Sequence, residues 1–318
     1  MLYRRFPANE PLATAQQLLG FLSTAAANGQ DSVLVVLTGK TGGPRSTGAM
    51  MAVLETGDRA GSISSGCVEA AIVGEALDVL AVNSPRLVRF GEGSRYIDIR
   101  LPCGAGMDLL FLPRPDPQTV NDVLAKLENR EAAALEVGTD GTLGLLTDLS
   151  PIDHEARFVR RITPDLRLVV AGEGAEARAL AQQAQAYGSI VEVLTPDEAL
   201  LESAIRSGVS ARILEFSSVR PQIEADPWTA IAIMFHDHDW EPVLIEEALA
   251  TEAFWIGAMG SGRTAADRRS ELIRRGLGTS QIERVRGPIG TIPSARNPAT
   301  IALSALTEIV ASLDGIEA

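Results

Sequence analysis

The sequence predicts a two-domain α/β protein in which the second domain is built on a parallel sheet. Its 318 residues exceed what one ordinary hydrophobic core encloses. In the second half, apolar runs of strand length alternate with helical stretches, which is typical of a parallel sheet covered on both faces. A mixed segment containing prolines, residues 150–164, separates the halves. We therefore expect a mixed α/β domain at residues 1–160 and a parallel-sheet domain at residues 161–318.

Composition and charge exclude several classes of function. The formal net charge of −13 opposes nucleic-acid binding, which needs a basic face. No apolar run approaches the roughly 20 residues that span a bilayer. No apolar stretch follows the arginines near the start, so we expect no secretory leader. The two cysteines are too few for a disulfide framework, and we expect a cytoplasmic protein.

The elements of the first domain are predicted from periodicity and turn residues. The first strand, SVLVVLT, is a continuous run rich in apolar and β-branched residues that is typical of a buried strand. Helices are predicted where apolar residues recur at helical spacing, at residues 10–27, 70–80 and 119–129. Strands are predicted at residues 32–38, 49–54, 86–90, 96–100, 107–112, 132–137 and 142–146.

The second domain begins with a strand, a glycine turn and a helix. Apolar residues 166–171 precede the sequence GEGAEA at residues 172–177, which matches the Gly-x-Gly-x-x-Ala fingerprint of a Rossmann βαβ unit. Gly172 permits the tight turn, and Gly174 lets a pyrophosphate approach the backbone. Helices are expected at residues 175–187, 243–251 and 265–275, with further strands at residues 190–194, 211–216, 230–235 and 254–258.

Two features leave the ligand of this glycine turn open. Glu173 and Glu176 place negative charge where a diphosphate would lie. The acid that should meet a ribose hydroxyl comes late in the chain, at Asp197. The turn therefore fits either an NAD(P) site or a Rossmann fold that binds no dinucleotide or another phosphorylated ligand.

Each cysteine lies in a glycine-containing loop. Cys67 stands in SSGCVE, residues 64–69, where a helix begins, so the helix dipole favours its thiolate and the Ser/Gly loop can cradle an anion. Cys103 lies between two predicted strands, with Pro102 before it and Gly104 after it. Both can instead be small buried apolar residues, as most free cysteines are. No histidine stands near either in the sequence, so they do not indicate a zinc site.

Polar residues follow a predicted strand of the second domain at residues 236–239, HDHD. Because ligands bind at the carboxyl ends of parallel strands, His236 and His238 are candidates for ligand contact, acid–base chemistry or metal binding. They can also cap the helix that is expected near Pro242.

A second glycine loop, residues 257–264, joins the next predicted strand to its helix. Arg263, Arg268 and Arg269 follow it as a basic spot that suits either a phosphate or a solvated helix face. In the first domain Arg45, in a Gly/Pro segment, is the corresponding candidate for an anionic ligand.

These motifs together resemble the XdhC/CoxI family, and the resemblance covers nearly the whole chain. Any one motif is unspecific, but six of them in the family's order are specific. The matching segments are TGGPRSTGAM at residues 41–50, GSISSGCVE at 61–69, PCGA at 102–105, FHDH at 235–238, WIGAMGS at 255–261 and GPIG at 287–290, with a final helix around residues 301–309.

The resemblance implies an accessory protein of molybdenum hydroxylases such as xanthine dehydrogenase. Such a protein would bind the molybdenum cofactor, molybdopterin, transiently, assist its sulfuration by a cysteine desulfurase, and insert it into the apo-enzyme without turnover of its own. A homodimer is the expected state. The implied cofactor-binding residues are Arg45, Ser64, Ser65, Gly66, Cys67, Glu69, Cys103, Gly104, Gly172, Gly174, His236, His238, Gly260, Ser261 and Arg263.

Two other functions stay open at this stage. The glycine turn and the neighbouring histidines fit an NAD(P)-dependent oxidoreductase that uses the Rossmann domain. A protein–protein scaffold whose glycine turn is vestigial also fits.

Overall fold

The computed structural model describes residues 14–42, 46–64, 68–94, 106–146, 157–237 and 239–317. The chain forms two compact units, Met1–Pro164 and Asp165–Ala318, called here the first and second units. The first unit is mixed α/β around an antiparallel sheet, and the second is a parallel-sheet Rossmann-like unit. The fold class predicted from the sequence is confirmed.

The first unit contains two antiparallel sheets, with strand orders β3-β2-β1-β5-β4 and β7-β6-β8. Its elements are α1 (Ala15–Ala27), β1 (Ser32–Thr41), β2 (Met50–Leu54), β3 (Arg59–Gly61), α2 (Glu69–Val82), β4 (Arg86–Gly91), β5 (Gly106–Pro113), α3 (Pro117–Glu128), β6 (Ala133–Gly138), β7 (Leu143–Leu146) and β8 (Arg157–Ile162).

The central strand β1 divides the hydrophobic core of the first unit into two layers. Val33 and Val35 point into one layer, which α2 covers, and Leu34 and Val36 point into the other, which α1, α3 and β6 cover. Successive side chains of a strand point to opposite faces, so an uninterrupted apolar run requires cover on both faces. The prediction of a buried first strand is therefore confirmed.

Five strands of the larger sheet each have one terminus at the same end of the sheet, which is called here the sheet edge. Thr41 pairs with Gly106, and Gly106 pairs with Gly91 on its other side. Met50 and Gly61 lie at the same end, because β2 is antiparallel to both β1 and β3. This edge of the sheet therefore contains the ends of the strands that lead to or from residues 43–45, 65–67 and 95–105.

The second unit contains one parallel sheet with the strand order β11-β10-β9-β12-β13-β14. Counted within the unit, this is the 3-2-1-4-5-6 order of the Rossmann fold, in which the chain changes direction across the sheet between β9 and β12. Its elements are β9 (Arg167–Gly172), α4 (Gly174–Tyr187), β10 (Ile190–Thr195), α5 (Glu198–Arg206), β11 (Ser210–Ile213), β12 (Thr229–Met234), α6 (Glu241–Leu249), β13 (Trp255–Ala258), α7 (Gly262–Arg274), α8 (Thr279–Glu283), β14 (Val285–Arg286) and α9 (Pro298–Glu317).

The elements that the sequence did not predict are short or carry weak apolar patterns. β3 and β14 have three and two residues, and α5 buries only Leu200 and Ala204. β8, with the sequence RFVRRI, shows no regular alternation of apolar and polar residues, and most of its residues are partly exposed. Residues 10–13 of the first predicted helix and the predicted strand at residues 96–100 lie outside the described residues. None of the helices in the described part of the chain is both long and apolar enough to cross a membrane.

A comparison of two glycines with positive φ tests the packing at the crowded sheet edge. A Cβ at Gly61 (φ +83°) would lie 2.6 Å from the Met50 carbonyl oxygen, whereas one at Gly29 (φ +70°) would meet nothing within 4 Å. Both alanine variants should lose about 1–2 kcal/mol through the left-handed conformation. Gly61→Ala should lose about 1–3 kcal/mol more in urea unfolding, because the backbone must move. Equal losses in the two variants would contradict this packing.

Candidate functional site

The first glycine of the Rossmann turn is required by the neighbouring strand. A Cβ at Gly172 would lie 2.5 Å from the carbonyl oxygen of Met234, at the end of β12. Gly174 adopts φ +73°, a conformation that favours glycine, and begins α4. Sheet packing and turn geometry thus account for both glycines without a ligand.

Carboxylates close to this turn oppose a bound diphosphate. Glu176 lies in the first turn of α4, mostly buried, with its Oε2 3.4 Å from His236 Nε2. Asp197 caps α5, and its Oδ1 accepts hydrogen bonds from the amides of Ala199 and Leu200 at 2.9 and 3.1 Å. The positive end of the α4 dipole is therefore already matched by a carboxylate, and Asp197 is engaged in capping its own helix.

A cavity of about 760 Å³ lies at the carboxyl ends of β12 and β13, beside the second glycine loop. Its charged or titratable lining residues are Arg296 and His236, and no Asp or Glu lines it among the described residues. The described lining therefore lacks the negative charge that dominates the chain as a whole, which has 41 acidic and 28 basic residues. The lining favours an anionic ligand at the strand ends where Rossmann folds bind ligands.

The cavity also contains the amino end of α7. Ser261 caps this helix, since its Oγ accepts a hydrogen bond from the Thr264 amide at 3.1 Å. The helix begins at Gly262, three residues before the predicted start, because a serine outside the apolar pattern provides the cap. Of the residues predicted to contact a cofactor, Gly260 and Ser261 line this cavity, whereas Arg263 does not and is 91% exposed beside Asp267.

The arginines of the predicted basic spot on α7 differ in burial. Arg269 is exposed, but Arg268 is buried and forms an ion pair with Glu241 of α6. The Arg268 Nε lies 2.7 Å from Glu241 Oε2, and its Nη2 lies 3.0 Å from Glu241 Oε1 and 2.6 Å from the Met259 carbonyl oxygen. Sequence reasoning did not find this pair.

The opposite wall of the cavity is anchored to α9. The Gly290 amide donates a hydrogen bond of 2.5 Å to Glu308 Oε2, and the Ile292 amide donates one of 2.7 Å to Ser304 Oγ. Trp255 Nε1 of β13 also donates to Glu308, at 3.3 Å. These anchors were not predicted either, because their partners are distant in the sequence.

An aromatic stack closes the loop that follows β12. Phe235 and Trp240 stack with ring centroids 5.5 Å apart and an interplanar angle of 10°. The loop between them contains His236, which is 65% exposed, and His238, which lies outside the described residues. α6 has no side-chain cap, so His236 does not cap it. Among the described residues, no cluster of three His, Cys, Asp or Glu side chains could hold a metal ion.

In the first unit a buried carboxylate organises the segment that precedes α2. Glu69 is 3% exposed, and its Oε1 accepts hydrogen bonds from the Ser62 hydroxyl and the Ser64 amide, both at 2.8 Å. Its Oε2 accepts one from the Ser64 hydroxyl at 2.5 Å, and the Ser64 Oγ accepts one from the Val68 amide at 3.0 Å. The predicted site residues Ser64 and Glu69 are therefore brought together.

An ion pair lies at the sheet edge where the five strand ends meet. The Arg89 guanidinium donates from Nη1 to both oxygens of Asp108, at 3.0 and 2.8 Å, and its Nη2 donates to Thr41 Oγ1 at 3.3 Å. A Cβ at Gly106 would lie 2.5 Å from the Arg89 Nη2 and 2.9 Å from the Glu92 carbonyl oxygen, so a side chain there would require the neighbouring groups to move. The remaining predicted residues of the first unit, Arg45, Ser65, Gly66, Cys67, Cys103 and Gly104, lie outside the described residues.

Comparison with known proteins decides the family. Residues 168–309 match a model described as the XdhC Rossmann domain, and residues 25–91 match one described as the XdhC and CoxI family. The chain is 32% identical over 295 residues to the molybdenum cofactor insertion chaperone PaoD of Escherichia coli, covering 92% of this chain and 86% of that protein. The chain belongs to the XdhC and CoxI family. The family predicted from the motifs is confirmed.

The chain is also similar to two other known proteins. The chain is 30% identical over 155 residues to the uncharacterized protein YqeB of Escherichia coli, covering 45% of this chain and 27% of that protein. Its fold matches a crystal structure described as a xanthine dehydrogenase from Bacillus halodurans with a TM-score of 0.77 and 21% identity, covering 93% and 96% of the two chains. At that identity the likeness concerns the fold alone.

Replacing Glu69 with glutamine tests its role in this XdhC/CoxI chain. The amide nitrogen cannot accept a hydrogen bond, so Glu69→Gln leaves a buried donor without its acceptor. We expect the free energy of unfolding in urea to fall by about 1–3 kcal/mol. Glu131→Gln is the matched control, because that exposed carboxylate pairs with Lys126 at the surface and should change stability by less than about 0.5 kcal/mol. Equally small effects in both variants would show that Glu69 does not organise the loop.

Proposed function

We propose that this chain binds the molybdenum cofactor as cargo and inserts it into the apo-enzyme of a molybdenum hydroxylase of the xanthine dehydrogenase family. The observation that carries the proposal is the similarity over 92% of the chain to an E. coli protein named as a molybdenum cofactor insertion chaperone. The cavity at the carboxyl ends of β12 and β13 supports it, because no Asp or Glu lines it among the described residues and the lining suits an anionic molecule.

The chemistry of the cargo fits this cavity. Molybdopterin combines a flat heterocycle with a phosphate, so its binding site needs apolar surface and anion donors together. Phe235 and Ile292 supply apolar surface, Arg296 supplies a charged donor, and the amino end of α7 supplies a favourable dipole. We propose that Gly260 and Ser261 contact the cargo here and that His236 lies beside it.

We further propose that the cofactor is sulfurated while it is held, with a cysteine desulfurase as the sulfur-supplying partner. Cys67 and Cys103 are the thiols proposed to meet the cofactor or the sulfur, together with the Ser64–Glu69 segment, Gly104 and Arg45. The chain would act as a cytoplasmic homodimer without turnover of its own. Glu69 supports this role by fixing the described residue Ser64, which stands three positions before Cys67.

The alternative of an NAD(P)-dependent oxidoreductase is less well supported. Gly172 is explained by its contact with β12, and Glu176 holds a carboxylate in the first turn of α4. Asp197, the acid available for a ribose hydroxyl, caps α5 instead. The proposed insertion role therefore takes precedence over a dinucleotide enzyme.

Cofactor retention by the purified full chain tests the proposal. Protein from a molybdenum-replete host should retain molybdenum and pterin in equal amounts after gel filtration. Arg296→Met should weaken binding about tenfold, the loss of one charge-assisted contact with phosphate. Arg206→Met is the matched control, because this arginine is 74% exposed on α5, away from the cavity lining. A wild-type chain that retains no pterin at saturating concentration would refute the proposal.

A serine variant of Cys67 tests the sulfur step separately. Cys67→Ser should lower the activity of a client enzyme that is matured in its presence. The reason is that a serine hydroxyl is a much weaker nucleophile and metal ligand than a cysteine thiolate. The measurement compares the activity and molybdenum content of the client matured with wild type and with variant. Maturation that is unchanged in both respects would remove Cys67 from the mechanism.

A further inference from the structure

The Glu241–Arg268 ion pair is buried beside the cavity at the carboxyl ends of β12 and β13, and it also lines a second cavity of about 670 Å³ formed mainly by residues of α6 and α7. The two side chains are only 3% and 6% exposed. Removing two charges from water carries a desolvation penalty that their attraction often fails to repay, and apolar replacements of such pairs are frequently neutral or stabilising. The stability of the Rossmann unit therefore does not by itself account for the pair.

One guanidinium nitrogen of the pair holds the glycine loop that forms one cavity wall. The Arg268 Nη2 donates to the Met259 carbonyl oxygen at 2.6 Å. Because a trans peptide directs its C=O and its N–H to opposite sides, the amide of Gly260 points away from Arg268. Gly260 adopts φ +143°, and a Cβ there would lie 3.4 Å from the same Nη2. The pair thus fixes the orientation of a peptide that lines the cavity.

The same guanidinium also touches the segment that leads to the opposite wall. A Cβ at Gly287 would lie 2.8 Å from Arg268 Nη1 and 3.3 Å from the Ala258 carbonyl oxygen. Gly287 directly precedes Pro288, which lines the cavity. Arg268 therefore binds the Met259 side of the cavity by a hydrogen bond and lies close to Gly287, where it leaves no room for a side chain.

We infer that Glu241 and Arg268 are positioning residues for cargo binding: they fix the glycine loop that forms one wall of the proposed cargo cavity, and they are not part of that cavity's lining. The inference rests on the proposed function. Glu241 orients the guanidinium through two oxygens, and the guanidinium then orients the loop carbonyl. Preorganised binding groups of this kind increase affinity because the loop is already ordered before the cargo binds, so binding does not bear the entropy cost of ordering it.

The test compares Arg268→Lys with Arg269→Lys in the full chain. The probe is molybdenum cofactor released anaerobically from a molybdenum hydroxylase, and its dissociation constant is measured beside the melting temperature of each variant. A lysine cannot reach two carboxylate oxygens and the Met259 carbonyl together. Arg268→Lys should therefore weaken binding at least about tenfold, with faster amide exchange in residues 259–262. Arg269→Lys, the same change at an exposed neighbouring position, should bind within about twofold of wild type.

A double variant separates positioning from stability. Glu241→Leu combined with Arg268→Met should keep or raise the melting temperature and still lose cofactor affinity. If it retains wild-type affinity, or if Arg268→Lys and Arg269→Lys bind alike while wild type retains cofactor, the positioning inference is overturned and the proposed function stands. If wild type retains none, both are overturned. Should the double variant fail to fold, Arg268→Lys decides the question.

Discussion

The close contact of β9 with β12 is the constraint on which the second unit depends. Both strands are buried on both faces, and Gly172 leaves room for the Met234 carbonyl where any other side chain would collide. Around this pair the remaining strands add on either side, and their carboxyl ends define where loops can bind a ligand. The glycine fingerprint is therefore first a packing requirement, and the cavity whose described lining contains no Asp or Glu lies elsewhere, at the carboxyl ends of β12 and β13.

Buried or partly buried carboxylates organise loops in both units. Glu69 accepts a hydrogen bond from the Ser64 amide, Glu308 accepts one from the Gly290 amide, and Glu241 orients Arg268, which in turn binds a loop carbonyl. In each case the charged side chain belongs to a helix, and its hydrogen bonds fix the backbone of a neighbouring loop. An acidic protein can in this way use its carboxylates for support while the cavity lining in the described residues stays free of them.

Much of the fold follows from local sequence, and much of the site does not. Apolar runs and glycine turns predict β1, β9, β12 and α4, because burial on both faces demands uninterrupted apolar residues. The position of Gly260 and Ser261 at strand ends was equally predictable. The burial of Arg268 was not, since nothing in its neighbourhood distinguishes it from the exposed Arg269. Its partner lies 27 positions away, and such pairings are set by the packing of helices rather than by any local pattern.

The anchoring of the cavity by α9 has a consequence for the timing of assembly. Among the described elements α9 comes last in the sequence, and it supplies Glu308 and Ser304 to the wall at Gly290 and Ile292. A ribosome therefore completes the parallel sheet well before this wall has its anchors. A nascent chain that has not yet formed α9 would present the strand ends without the two hydrogen bonds that hold Gly290 and Ile292. These wall residues therefore reach their final positions only after the last described helix has been synthesised and has folded.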